Sequence, residues 1–319
     1  MTPPEVPSAG PDPGLPPEPI GELVDAPPAE EAAPPLRSQV LQLFLYPMMI
    51  AAVGVGIFFL FWYLTHERKT FDEYLEGLKS RSESQRYQAA YDLAEEIARE
   101  GPGFVGPKGA AKLAETFSGA RGEPKLRQYL AAALARLADP VSVPALLEGL
   151  SDEALEVRLF SSAALGRIGD ASAIGGLVAA LDEDESSEVR ANVAAALGAI
   201  GDAKAVPALV RTLGDADPIT RTQAAVSLAF LGDRSGVPAL VAALDRAVLD
   251  GNARLKTESD KESMMRNAIS ALAQIRPAEV EPVMRRVADS DPSLGVRAAA
   301  REYLEGGEAE PPPREPDPR

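Results

Sequence analysis

From residue 70 to 304 the apolar positions fall in short stripes spaced i, i+3, i+4 and i+7, grouped in couples between polar turns. Leu93, Leu134, Leu165, Leu197, Leu228, Leu272 and Leu304 mark the couples, at gaps of 41, 31, 32, 31, 44 and 32 residues. A period near 31 is the length of one helix pair, so the pattern predicts pairs stacked in a row. The expected fold is all-α: a right-handed α-solenoid of about seven helix pairs.

Three copies are clearest, at residues 143–170, 174–202 and 206–233. Each reads as a short apolar helix, an acidic turn, a longer helix and a Gly-Asp stop. Pro144, Pro207 and Pro238 stand in first-turn positions, where a preset φ favours helix entry. Val206, Leu209, Val210 and Leu213 predict the stripe of one first helix. Val189, Val193, Ala196, Leu197 and Ile200 predict that of one second helix. Gly169, Gly201 and Gly232 follow the last apolar residue, where a left-handed residue closes a helix. Asp217-Pro218 and Asp291-Pro292 read as N-caps with proline following, and Thr70…Glu73 and Ser82…Gln85 as capping boxes. Two insertions break the period: 101–107, a turn-rich connection, and 250–261, an expected exposed loop.

Ahead of the array lies a different pattern. The run 43–64, bounded by Leu43 and Leu64, has no charged residue. At about 1.5 Å per residue it reaches roughly 33 Å, the thickness of a bilayer's hydrocarbon core. Tyr46 near one end and Trp62 with Tyr63 at the other suit the membrane interface. We therefore expect a single-pass transmembrane helix within 40–65, with Ala52 and Gly56 a weak small-residue pair for helix association. Only Arg37 precedes the run, whereas Arg68, Lys69, Lys79 and Arg81 follow it. That bias puts the repeats on the cytoplasmic face, the outside being the alternative.

Composition sets the ends apart. Twelve of the first 39 residues are proline, and residues 305–319 repeat this character. Too little apolar area is present to offset chain entropy, so 1–39 and 305–319 are expected to be disordered tails flanking a repeat domain at 70–304. The net charge is −16. No net basic face is available to displace counterions, which argues against nucleic acid as a partner. There is no cysteine and one histidine, His66, so neither thiol chemistry nor a metal cluster has the residues it needs.

The run Val157, Arg158, Leu165, Gly166, Ile168, Gly169, Asp170 and its copy Val189, Arg190, Leu197, Gly198, Ile200, Gly201, Asp202 resemble the HEAT-like repeat shared with phycobilin lyases. The resemblance covers about 71–304. It implies a protein-interaction scaffold, with a lyase-like or chaperone-like accessory protein acting on a cofactor-bearing protein as the alternative. Some HEAT-like proteins are di-iron hydroxylases built on repeated His-Glu pairs. Here only His66-Glu67 matches, outside the repeats, so no metal or other cofactor is expected.

Arginine recurs early in the second helices, at Arg86, Arg127, Arg158, Arg190, Arg221 and Arg297. One reading makes these a cationic ladder for an acidic partner. The resemblance implies another, in which each pairs with a turn carboxylate such as Asp152, Asp184, Asp215 or Asp291. Positions that the repeat leaves free are better candidates for binding a protein or peptide. They are Tyr129 and Arg136, Phe160 and Arg167, Asn192, and Gln223 and Phe230. Residues seven apart share a helix face, and aromatic and arginine side chains there suit partner anchoring. The alternative is packing against the neighbouring pair.

Overall fold

The computed structural model describes residues 44–65, 69–252 and 254–306, and the chain divides into two units, 1–68 and 69–319. The expected tails lie outside the described residues, as do Leu43, His66, Glu67 and Arg68, and the side chains of Trp62, Tyr63 and Leu64.

In the first unit, α1 (Tyr46–Thr65) is one helix without a charged residue. Its side chains are described as far as Phe61, and all of these are exposed. Among the described residues no helix is long and apolar enough to cross a membrane.

In the second unit, the described residues form helices only, in seven pairs. These are α2 (Phe71–Leu78) with α3 (Glu83–Glu100), α4 (Gly109–Gly119) with α5 (Pro124–Leu137), α6 (Val143–Gly149) with α7 (Leu155–Ile168), and α8 (Ile174–Glu183) with α9 (Ser187–Ile200). Then come α10 (Val206–Thr212) with α11 (Pro218–Phe230), α12 (Val237–Ala242) with α14 (Glu258–Ile275), and α15 (Glu281–Ser290) with α16 (Leu294–Glu305). The extra helix α13 (Arg246–Asp250) lies inside the sixth pair.

The second helices stack on one another and the first helices cover them from one side. Leu93, Leu134, Leu165, Leu197, Leu228 and Leu272 are fully buried between neighbours. Leu304, in the last described helix, is only half-buried. Small residues set the spacing. A Cβ on Gly166 of α7 would stand 2.8 Å from the Cα of Ala196 on α9. One on Gly198 of α9 would stand 2.4 Å from the Ser227 hydroxyl on α11. At the positions where α11 buries Thr222, Ala225, Val226 and Ala229, α16 carries Ala298, Arg301, Glu302 and Glu305, all exposed.

Local chemistry explains the ends of the helices. Gly169 and Gly201 close α7 and α9 in the left-handed region, and Gly232 (φ 77°) follows α11. The aspartate after each glycine is a start rather than part of the stop. Asp170 accepts from the Ser172 amide and Asp202 from the Lys204 amide, opening the 3-10 turn that leads into the next pair. Thr70 and Glu73 form the expected capping box. Ser82 does not: Gln85 accepts from the Ser80 hydroxyl instead, at 2.6 Å. Asp217 caps α11 through the Thr220 amide. Asp291 caps no helix start, since its carboxylate takes the Ser293 amide and Arg246, and Ser293 is the N-cap of α16.

The first-helix stripe of the fifth pair is rotated from its expected position. Leu209 is buried with Ala208 and Thr212, while Val210 is exposed. The insertion 250–261 is not an idle loop. Thr257 and Asp260 form a capping box that starts α14, Leu249 and Leu255 are buried, and Arg254 reaches Ser187 and Asp217 at 3.1 and 3.0 Å.

Candidate functional site

The arginine ladder is occupied by the protein itself. Arg158 donates from Nε to Asp184 of the next pair (2.8 Å) and from Nη1 to the carbonyl of Asp152 in its own turn (2.8 Å). Arg190 repeats this with Asp215 (2.8 Å) and the carbonyl of Asp184 (2.9 Å). Arg127 pairs with Asp152, and Arg86 with Glu123. Each guanidinium therefore ties one turn to the next along one edge of the row. Among the described residues, Arg221 and Arg297 bond only turn carbonyls, of Asp215 and Ala216 and of Asp291 respectively. The insertion displaces the next carboxylate, and Arg246 holds Asp291 instead.

The binding candidates lie on the second helices, two and nine residues after the ladder position. Tyr129, Phe160, Asn192 and Gln223 hold the first of these positions in four successive pairs, and Arg136, Arg167 and Phe230 the second. The Asn192 amide donates to the carbonyl of Leu159, the residue before Phe160, at 3.4 Å. Their exposure separates them. Phe160 is 37 % exposed and Phe230 57 %, and Arg167 is also exposed. Tyr129, Arg136, Asn192 and Gln223 are half-buried. Arg136 serves the first pair, donating to the carbonyl of Ala94 (3.1 Å) and to Glu95 (3.2 Å).

Tyr129 opens onto a feature that the residue pattern did not single out. A recess of about 570 Å³ lies between α3 and α5, walled by Tyr87, Tyr91 and Tyr129 with Glu83, Gln88 and Lys125. The rings of Tyr91 and Tyr129 meet edge to face at 5.8 Å. The Tyr87 hydroxyl donates to Glu83, and this bond pushes the phenol up to about 12, so it stays neutral. Two tyrosines one helical turn apart, Tyr87 and Tyr91, were the available signal. Among the described residues no group of histidine, aspartate or glutamate side chains is gathered to hold a metal ion.

The family model for HEAT repeats matches at 112–185 and 174–254. Residues 112–254 carry HEAT repeats. The pairs on either side continue the same alternation of helices beyond the matched HEAT segment. Solved structures are similar at low identity. The CpcE–CpcF complex of phycocyanin lyase from Nostoc sp. PCC7120 is 21 % identical, over 76 % of this chain and 90 % of that one, with a TM-score of 0.48. Human deoxyhypusine hydroxylase in complex with glycerol is 20 % identical, over 75 % and 85 %, at 0.33. A designed armadillo repeat protein is 20 % identical, over 73 % and 98 %, at 0.39. These likenesses concern the helical-repeat architecture alone. No curated protein sequence matches the chain.

Proposed function

We propose that the protein is a membrane-tethered HEAT-repeat scaffold that binds an extended segment of a protein partner across the face of its second helices. The carrying observation is the exposure of Phe160 and Phe230 on that face. Both rings leave apolar surface that the stacking does not use, and large aromatics of this kind anchor partners. Their helices are two pairs apart. Helices pack about 10 Å apart, so the two rings suit a segment of about seven extended residues. Arg167, Asn192 and Gln223 offer polar contacts along the way.

The tether is α1, whose 20 residues carry no charge and whose described side chains are all exposed. An all-round apolar rod of this kind is soluble only in lipid or against other protein. The basic residues after it favour repeats on the cytoplasmic face.

The test is capture from detergent extract with the full-length chain. The combined change of Phe160, Arg167 and Phe230 to alanine should abolish a stoichiometric partner and leave the melting temperature within about 2 °C. A large drop in melting temperature would show these residues to be core. A co-purifying chromophore without a stoichiometric protein would support the lyase-like alternative instead. Release of the chain from membranes by alkaline carbonate would overturn the tether. Protease accessibility in intact cells against opened vesicles reads the topology.

A further inference from the structure

The recess between α3 and α5 is chemically unlike the rest of the second-helix face. At the position of Tyr91 the next three second helices place Ala132, Ala163 and Ala195. The stacking is satisfied by alanine there, yet here a tyrosine stands 48 % exposed. Three of the chain's seven tyrosines wall this one site. One of them already holds a cation, since the Lys125 ammonium lies 5.5 Å from the centre of the Tyr87 ring. Lys125 is exposed on a flexible stem and can withdraw. Glu83 and the Gln88 side chain add oxygen acceptors around the rings.

Ring faces attract cations, and a planar guanidinium also stacks on them while donating in several directions. We infer that the Tyr87–Tyr91–Tyr129 recess receives an arginine side chain of the partner segment, with Lys125 filling it until the partner arrives. This rests on the partner-binding reading of the second-helix face and supplies the chemistry of one end of the bound segment.

The full-length chain in a neutral detergent, with isotopically labelled tyrosine, is titrated with acetyl-Gly-Arg-Gly-amide and with the same peptide carrying citrulline, which keeps the shape and loses the charge. The resonances of Tyr87, Tyr91 and Tyr129 should move and saturate with the arginine peptide, and bind citrulline about two- to five-fold more weakly. Tyr91→Ala should remove the response, and Tyr91→Phe should keep most of it. Lys125→Met should tighten arginine binding by a similar factor, because it removes the competing ammonium. Equal binding of citrulline, or weaker arginine binding by Lys125→Met, would overturn the proposal. The titration uses no native partner, so its failure leaves the scaffold reading standing. Failure of partner capture leaves the titration result standing.

Discussion

Arg246 holds Asp291 through two hydrogen bonds, 2.8 Å from Nε and 2.9 Å from Nη2, across 45 residues of chain. The aspartate is buried and the arginine largely so. The same guanidinium also reaches Glu258 at the start of α14. The insertion in the sixth pair thus breaks the regular ladder and supplies its own rung. Truncating Arg246 to alanine leaves the Asp291 carboxylate buried without its cation. We expect a loss of about 2–3 kcal/mol of folding stability, read by chemical denaturation. Asp291→Asn should cost less, and in the Arg246→Ala background it should recover part of the loss.

Gly166 shows close packing outweighing helix propensity. Alanine in a helix interior is worth about 1 kcal/mol over glycine. Here its methyl group would meet the backbone of Ala196, which cannot turn aside. Overpacking of this kind costs about 1–3 kcal/mol, so Gly166→Ala should be net destabilising. An increase in the denaturation midpoint would show that α7 and α9 are free to part.

Acid should loosen the row below a definite point. Burial alone raises the carboxyls of Asp215 and Asp291, but the bonds from Arg190 and Arg246 and from backbone amides outweigh it and hold both below the usual range. A carboxyl whose value is lower in the folded chain stabilises it above the unfolded value, about 3.9, and ceases to as pH falls through the folded value. The melting temperature should therefore change little from about pH 5 to 8 and fall steeply below about 4. Asp215→Asn should lower it at neutral pH and flatten the acid limb. An unchanged acid limb in that variant would assign the acid sensitivity to other groups.

Ala138 ends α5 in the left-handed region, at φ 51° and ψ 35°, where the next three pairs use Gly169, Gly201 and Gly232. A side chain there is strained by about 1–2 kcal/mol, and Ala138 is exposed, so little packing is lost with its methyl group. Glycine loses about 0.5–1 kcal/mol in chain entropy, leaving Ala138→Gly a net gain of roughly 0.5–1 kcal/mol. Arg276 has the same conformation, yet its guanidinium donates to the carbonyl of Tyr303 and lies over that ring. Arg276→Gly should destabilise. The two variants should move the urea midpoint in opposite directions.

Residue spacing was enough to find the pairs and their glycine closures, because helical period and left-handed backbone are local requirements. It missed α13 and the inward turn of Leu255, which bury apolar groups in pieces too short to show a period. It placed a helix start at Asp291, because the competing claim of Arg246 comes from 45 residues upstream. On the candidate face, spacing grouped side chains of which Phe160, Arg167 and Phe230 are exposed and the others half-buried. It did not show that Arg136 is taken by Glu95, a contact set by how two pairs stack. The tyrosine recess escaped for the same reason, being built from two pairs that each look ordinary alone.

The charged outward side of α16 offers no apolar seat to a further helix. Were Arg301, Glu302 and Glu305 replaced by alanine, valine and alanine, as α11 has it, the last helix would offer an unfilled seat. That seat would be open to an apolar helix face of another molecule. A head-to-tail contact of that kind does not close on itself, and charge at these three positions disfavours it.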